Sequence, residues 1–141
     1  NRRLHEYIAA LPVECLLTSV CTGSWIYARM GLLDGRAATS RKEPDRLESS
    51  HLGRTPIDRL AALAPACRVS RARVVDTGRV ITAGGIPSGH ELGLHLLRRA
   101  GYAEDFIEDT ARVMEYHRAY ALYKEDIEFA PSSSDLSSSS S

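Results

Sequence analysis

An apolar, β-prone run that stops at a cysteine is the feature that most constrains this chain. Residues 16–20 (LLTSV) end at Cys21, a Thr22-Gly23 pair follows, and residues 25–30 (WIYARM) are compatible with a helix. This order predicts a strand, a sharp turn and a helix, with the Cys21 thiol at the helix N-terminus. Unpaired backbone N–H groups and the positive end of the helix dipole meet there. A thiol in that place is easily ionised, and the thiolate is the nucleophile.

The composition is ordinary for a globular protein and excludes several classes of function. The 141 residues are 43% hydrophobic and 26% charged, with a formal net charge of zero. A neutral chain has no electrostatic reason to bind nucleic acid or an anionic membrane. No apolar run approaches the roughly 20 residues that span a bilayer. The length is enough for one domain with a modest core.

The three cysteines do not form a recognisable framework. Cys15, Cys21 and Cys67 are an odd number, and the first two are six residues apart, which is not a metal-binding spacing. Neither disulfides nor a metal are expected, and a reducing cytoplasm is the expected compartment. We predict no cofactor.

Helical and strand-like segments alternate along the chain. The predicted helices cover residues 4–11, 25–30, 57–64, 90–99 and 103–124, and the predicted strands cover residues 16–20, 37–40, 67–75 and 79–83. Between the last two strands, Asp76-Thr77-Gly78 is typical of a hairpin turn, because glycine accepts the left-handed backbone. The order predicts an α/β layered domain with a largely parallel sheet and one β-hairpin.

The charged segments are predicted to face solvent. Arg68, Arg71 and Arg73 are interpreted as a solvated edge strand. The acidic residues that begin the last helix, Glu104 among them, complement the helix dipole. His95 and His117 are interpreted as ordinary helix residues.

The C-terminal composition predicts a boundary. After Phe129 the chain becomes rich in serine, which cannot bury a core. We assign residues 1–127 to the domain and residues 128–141 to a disordered tail. At most four strands are predicted, which is few for this class of sheet, so the domain is expected to be the C-terminal portion of a larger one.

Two motifs in the right order resemble the ThiJ/PfpI family. The first is residues 19–23 (SVCTG) with residues 28–39 (ARMGLLDGRAAT), and the second is the hairpin with residues 84–97. The family has the class I glutamine amidotransferase-like fold, so the resemblance implies a partial flavodoxin-like domain, a three-layer α/β/α sandwich. It covers residues 3–120, and the Val-Cys-Thr-Gly form is most similar to the isonitrile hydratase-like branch.

The resemblance and the chemistry of the residues together give a candidate site. Cys21 would attack the substrate, while the Thr22 N–H faces a developing negative charge and its hydroxyl relays a proton. Gly23 would allow the substrate to approach closely. The glycine-rich passage before the helix at residue 90 is expected to border the site or to be a turn that merely needs glycines. The predicted substrate-binding residues are Gly23, Gly85, Ser88 and His90.

A zinc site at His90 and His95 is excluded by geometry. The two residues are five apart, which places them about 140° apart around a helix. One metal ion cannot easily bind both. His90 is instead expected to face the pocket from the helix start.

The chain departs from the family pattern in three places. The N-terminal units that normally carry an acidic residue beside the cysteine are absent. Arg41 stands where many members have histidine, and His90 stands where the branch usually has an apolar residue.

The resemblance implies a cysteine-dependent hydratase that converts an isonitrile to an N-substituted formamide. A glyoxalase or deglycase activity on reactive carbonyls is the second enzymatic hypothesis. A non-catalytic ligand-sensing module and an inactive truncated member are two further hypotheses. A small molecule is the expected partner, and a homodimer is possible because relatives often dimerise.

Overall fold

The computed structural model describes residues 1–45 and 55–131. Helices and strands alternate along the described chain, as predicted. The helices are α1 (Arg2–Ala9), α2 (Ser24–Arg29), α3 (Pro56–Leu63), α4 (Ser88–Arg99), α5 (Glu104–Val113) and α6 (His117–Tyr123). The strands are β1 (Leu17–Val20), β2 (Ala37–Ala38), β3 (Arg68–Val69), β4 (Val74–Asp76), β5 (Val80–Ala83) and β6 (Ile127–Phe129), and a 3₁₀ turn spans Cys21–Gly23.

The strands form a mixed sheet in which parallel pairs dominate. The main sheet has the order β1-β5-β4-β6, and β2 pairs with β3 separately. Three of the four pairings between described strands are parallel, and the exception is the β4–β5 hairpin. This arrangement confirms the predicted α/β class with a largely parallel sheet and one hairpin.

Helices cover both faces of the main sheet. Successive residues of β5 point to opposite faces and pack against different helices. Val80 packs into one cluster with Leu17, Tyr27 and Leu60, which brings α2 and α3 onto that face. Ile81 and Ala83 pack on the other face with Val74 of β4 and Leu92 of α4. A further cluster stacks α5 and α6 on α4 through the buried residues Leu94, Ile107, Ala111 and Tyr120. The three-layer sandwich is therefore confirmed.

The hairpin turn forms where the sequence predicts it. The Thr77 N–H donates to the Val80 carbonyl at 3.0 Å, and Gly78 has φ 93°. The Gly78 N–H also donates to the Asp76 carboxylate at 2.8 Å. Glycine suits this turn because a residue with a Cβ would be strained at that torsion.

The predicted strand over residues 67–75 is wrong as a single element. It is divided into β3, which pairs with β2, and β4, which pairs with β5 and β6. Between them the Ala72 N–H donates to the Ser70 hydroxyl oxygen at 3.2 Å. The Ser70 side chain thus bonds locally to the backbone between the two halves, which join different sheets.

The predicted helix over residues 103–124 is also wrong as a single element. It breaks after Val113, where Glu115 takes a left-handed torsion of φ 55°. The Tyr116 N–H then donates back to the Ala111 carbonyl at 2.8 Å, which closes α5 as a helix C-cap does. A non-glycine residue rarely adopts this torsion, so no sequence signal marked the break.

Strand β6 lies across the predicted boundary at residue 127. β6 pairs in parallel with β4, and the Ala130 N–H donates to the Asp76 carbonyl at 2.8 Å. Glu128, assigned from the sequence to the tail, lies in β6 and forms an ion pair with Arg68. The rest of the predicted tail, residues 132–141, lies outside the described residues. Across residues 1–45 and 55–131, no helix has both the length and the apolar character needed to cross a membrane.

Candidate active site

Cys21 stands at a sharp turn between β1 and α2. Val20 is still extended, with φ −122° and ψ 140°, whereas Cys21 has φ 60°. The chain then passes through the 3₁₀ turn into α2. A left-handed torsion is uncommon for a residue with a Cβ and persists only where surrounding contacts hold it. Such a torsion at a strand-to-helix turn is typical of a nucleophile elbow.

Hydrogen bonds hold the backbone of Cys21 from both sides. Its N–H donates to the Gly84 carbonyl at 2.7 Å. Its carbonyl accepts from the Ser40 hydroxyl at 3.0 Å and from the Ser24 hydroxyl at 3.3 Å. Ser24 belongs to the same turn, but Ser40 and Gly84 lie far from Cys21 in the sequence, so the torsion of Cys21 is fixed by tertiary structure and not by its neighbours alone.

The elbow lies at the carboxyl edge of two parallel strands. Val20, the last residue of β1, is in register with Ala83, the last residue of β5. Cys21 and Gly84 therefore leave the sheet side by side. Open α/β sheets bind their ligands outside this edge.

Gly23 allows the turn to fold back closely over β1. A Cβ on Gly23 would lie 3.3 Å from the Cβ of Ser19, which is closer than side chains usually approach. Thr22 is half-buried beside it. The proton relay through the Thr22 hydroxyl stays a prediction.

The passage from β5 into α4 brings the predicted Ser88 to the elbow. Ser88 is buried, and its N–H donates to the carbonyl of the half-buried Gly85 at 2.8 Å. The first turn of α4 packs on the end of β1, because a Cβ on Gly89 would lie 3.6 Å from a methyl group of Val20. The structure therefore brings the Gly84–Ser88 passage next to Cys21.

His90 lies on the exposed side of α4. Its ring is 4.8 Å from the ring of Tyr116, and its Nδ1 is 3.1 Å from the Pro87 carbonyl oxygen. These contacts turn His90 toward α5 and α6, and a role in substrate binding stays a prediction.

Ser40 and Lys42 belong to the site and were missed in the sequence. The Lys42 ammonium group donates to the Ala72 carbonyl at 2.9 Å. A Cβ on Gly84 would lie 2.5 Å from this nitrogen, 3.4 Å from the Ser88 hydroxyl and 3.6 Å from the Ser40 carbonyl oxygen. Burial lowers the pKa of Lys42; Asp126 opposes this effect, and Arg73 and Arg71 add to it. The one sequence feature that could have pointed to these two residues is the neighbouring Arg41, where the chain departs from the family pattern.

All three cysteines are free and half-buried. Burial raises the pKa of the Cys67 thiol; Arg68 opposes this effect, and Asp34 adds to it. The Cys15 thiol faces the Leu16 carbonyl, with 3.7 Å between sulfur and oxygen. Cys21 alone of the three stands at a strand-to-helix turn.

The interpretation of Arg73 as a solvated edge residue is wrong. Arg73 forms an ion pair of 3.1 Å with Glu91, whose side chain is 0% exposed, and its guanidinium lies 3.9 Å from the ring of Tyr123. Tyr116 also hydrogen-bonds Glu91. A buried carboxylate is costly unless it is paired, and Arg73 and Tyr116 supply the partners that Glu91 needs.

His95 is more than an ordinary helix residue, since it joins a buried network around Asp76. Its Nε2 lies 2.7 Å from an Asp76 carboxylate oxygen, and Arg99 donates to both oxygens of that group at 2.7 and 2.8 Å. Burial by itself would raise the pKa of Asp76, but hydrogen bonds from His95, Arg99 and Gly78 hold it below its usual value. Asp76 lies at the opposite end of β4 from the elbow, because Val74 is the residue in register with Ala83.

Other sites are less developed in the described part of the chain. No group of three His, Cys, Asp or Glu residues among the described residues is arranged to hold a metal ion. A cavity of about 330 Å³ lies between Arg36, Arg68 and Pro131, and one of about 210 Å³ lies between α5 and α6. Neither is lined by Cys21.

Comparison with known proteins supports the resemblance of the two motifs. A crystal structure of a ThiJ/PfpI family protein from Pseudomonas syringae superimposes with a TM-score of 0.54 over 79% of this chain and 49% of that one. At 23% sequence identity this likeness shows a common fold. Isonitrile hydratase from Pseudomonas putida is 32% identical over 106 residues, which are 74% of this chain and 38% of that protein. The chain resembles the ThiJ/PfpI family in sequence and in fold.

The similarity covers only part of each of these proteins. The chain spans about two fifths of the isonitrile hydratase and about half of the solved structure that it matches. No family model matches the sequence.

Proposed function

We propose that this chain carries the nucleophile of a cysteine-dependent hydratase that acts on small isonitriles. The observation that carries the proposal is the left-handed torsion of Cys21 at the strand-to-helix turn, held on its N–H by Gly84 and on its carbonyl by Ser40. Residues held in such torsions cluster at active sites. The similarity to isonitrile hydratase supports the choice of substrate.

The proposed reaction divides hydration into two steps through a covalent intermediate. The Cys21 sulfur forms a bond with the terminal carbon of the isonitrile, and that carbon takes up a proton to give a thioimidate. Water then adds across the carbon–nitrogen double bond, so that its hydroxyl joins the carbon and its proton joins the nitrogen. The carbon–sulfur bond breaks as the hydroxyl loses its proton, which gives the N-substituted formamide, restores the thiolate and returns the proton taken up in the first step.

The surrounding groups would stabilise and move charge during these steps. The Thr22 N–H, at the start of the turn, would face the negative charge that develops on the substrate. The Thr22 hydroxyl would deliver the proton. Gly85 and Ser88 would border the substrate on the α4 side. Three unpaired thiols are also compatible with action in a reducing compartment such as the cytoplasm.

The test is turnover of a small alkyl isonitrile by the purified chain, followed by the appearance of the formamide in NMR spectra. Cys21→Ser is expected to abolish turnover while the circular dichroism spectrum stays unchanged. Cys67→Ser is the matched control and is expected to keep the activity, since Cys67 lies away from the elbow.

Two outcomes would overturn the proposal. Formamide formation by the Cys21→Ser variant would move the chemistry to another group. An unmodified chain that leaves the isonitrile unchanged but consumes methylglyoxal would favour the reactive-carbonyl activity instead.

A further inference from the structure

The strained backbone of Cys21 is held by two segments that are far apart in the sequence. Gly84 accepts from its N–H, and Ser40 donates to its carbonyl. Because neither segment is a neighbour of Cys21 in the chain, the torsion depends on how these two segments are placed relative to each other. A shift of one of them would relax the turn.

The side chain of Lys42 connects these two segments. It starts two residues after Ser40, and its ammonium group donates to the Ala72 carbonyl at 2.9 Å. The next residue, Arg73, accepts at its carbonyl from the Gly84 N–H at 2.9 Å. Lys42 therefore reaches from the segment that holds the carbonyl of Cys21 to the strands that hold its N–H.

Gly84 leaves the space that the Lys42 ammonium group uses. A Cβ on Gly84 would lie 2.5 Å from that nitrogen, a distance that forces one of them to move. The torsion of Gly84 is outside the left-handed region, so the backbone by itself would accept alanine. A methyl group at this position would therefore displace the end of the flexible Lys42 side chain.

Burial makes this contact different from that of a surface lysine. Lys42 is half-buried, and its pKa is lowered by that burial. A charged group that loses water needs a close acceptor, which the Ala72 carbonyl supplies. The other lysine, Lys124, is also half-buried, but it donates to the Glu108 carboxylate at 3.0 Å, and this hydrogen bond raises its pKa.

We propose that Lys42 is a positioning residue for Cys21: its side chain fixes Ser40 and Gly84 relative to each other and so maintains the strained turn that presents the thiol. The inference rests on the proposed function only in treating Cys21 as the nucleophile. It concerns a residue next to the position where this chain departs from the histidine of many relatives.

The experiment compares the alkylation rates of the three cysteines by iodoacetamide, resolved by mass spectrometry of peptides, in the purified chain and its variants. Lys42→Met removes the ammonium group and keeps a long side chain, and Gly84→Ala places a methyl group in its space. The matched controls are Lys124→Met and Gly93→Ala, because a Cβ on Gly93 would meet nothing within 4 Å.

Both site variants are expected to slow the alkylation of Cys21 by about tenfold, the order expected when a reacting group loses its position. The rates of Cys15 and Cys67 are expected to stay unchanged, as are all three rates in the controls. The alkylation rates are measured without a substrate. An absence of isonitrile turnover would therefore contradict the proposed function but not this inference.

Two results would overturn the inference. One is a wild-type alkylation rate of Cys21 in both site variants. The other is a parallel rise at Cys15, Cys21 and Cys67, or loss of the folded circular dichroism spectrum, in both site variants, since either would mean that Lys42 stabilises the domain as a whole.

Discussion

The hydroxyl of Ser40 donates a hydrogen bond of 3.0 Å to the carbonyl of Cys21, across 19 residues of sequence. Ser40 is fully buried and follows β2, which pairs with β3 and not with the sheet that carries the elbow. The bond therefore fastens the smaller sheet to the site. The position of Cys21 therefore depends on a residue that is distant in the sequence and that no local sequence pattern links to it.

We expect Ser40→Ala to lower the free energy of unfolding by about 1 kcal/mol, the usual net contribution of one hydrogen bond. It should also slow the alkylation of Cys21. Urea unfolding followed by circular dichroism measures the first effect. Ser19→Ala is the control, because the Ser19 hydroxyl is buried on β1 and has no hydrogen-bond partner among the described residues. Equal losses in the two variants would count against a role for the Ser40 bond.

Asp76 is expected to make the domain sensitive to acid. Its pKa is lower in the folded chain than in the unfolded one, so its ionised form stabilises the fold above the unfolded value of about 3.9. This stabilisation is lost as the pH falls through the folded pKa. Asp76→Asn should cost about 3 kcal/mol at neutral pH, because Arg99 and His95 lose a buried partner.

The difference between wild type and Asp76→Asn should narrow as the pH falls below about 4. Urea unfolding at several pH values measures it. Asp109→Asn, which removes the exposed partner of Arg112, is the control and should change stability little. A difference that stays constant between neutral and acid pH would contradict the role given to the Asp76 carboxylate.

Tyr116 and Tyr120 should ionise late in an alkaline titration. Burial and a hydrogen bond to Glu91 raise the pKa of Tyr116 to about 12, and burial and a hydrogen bond to Glu104 raise that of Tyr120 to about 12. Their contribution to stability is complete below about 10, the unfolded value, and is lost as the pH rises toward 12. Ultraviolet absorbance of tyrosinate follows the ionisation. Tyr116→Phe should remove one tyrosine ionisation with a pKa of about 12. Loss of an ionisation near the ordinary tyrosine pKa of about 10 would contradict this assignment.

The local features of the site were predictable from the sequence. The β-prone run, Cys21 and the Thr22-Gly23 pair fall at successive positions, so a strand, a turn and a helix follow from short-range preferences. The hairpin turn at Gly78 and the start of α4 near Ser88 follow in the same way. The pairing of β1 with β5 then brings Cys21 beside Gly84.

The tertiary features were not predictable from the same patterns. Arg73 lies in an arginine-rich segment that is typical of a solvated strand. Its contact with the buried Glu91 forms only in the folded chain. Glu115 adopts a left-handed torsion, which the sequence would have indicated only if the residue were glycine. Lys42 follows a polar stretch, and its amine becomes part of the site because β4 and β5 bring Ala72 and Gly84 to it.

The relative alkylation rates of the three cysteines test the central claim most directly. Iodoacetamide at neutral pH, with quenching over time and mass spectrometry of peptides, gives the three rates in one folded sample. Cys21 is expected to react first, because it stands at a turn above the sheet edge, whereas burial raises the pKa of Cys67. Equal rates at Cys15, Cys21 and Cys67 would show that the turn does not present an activated thiol, and would contradict the account.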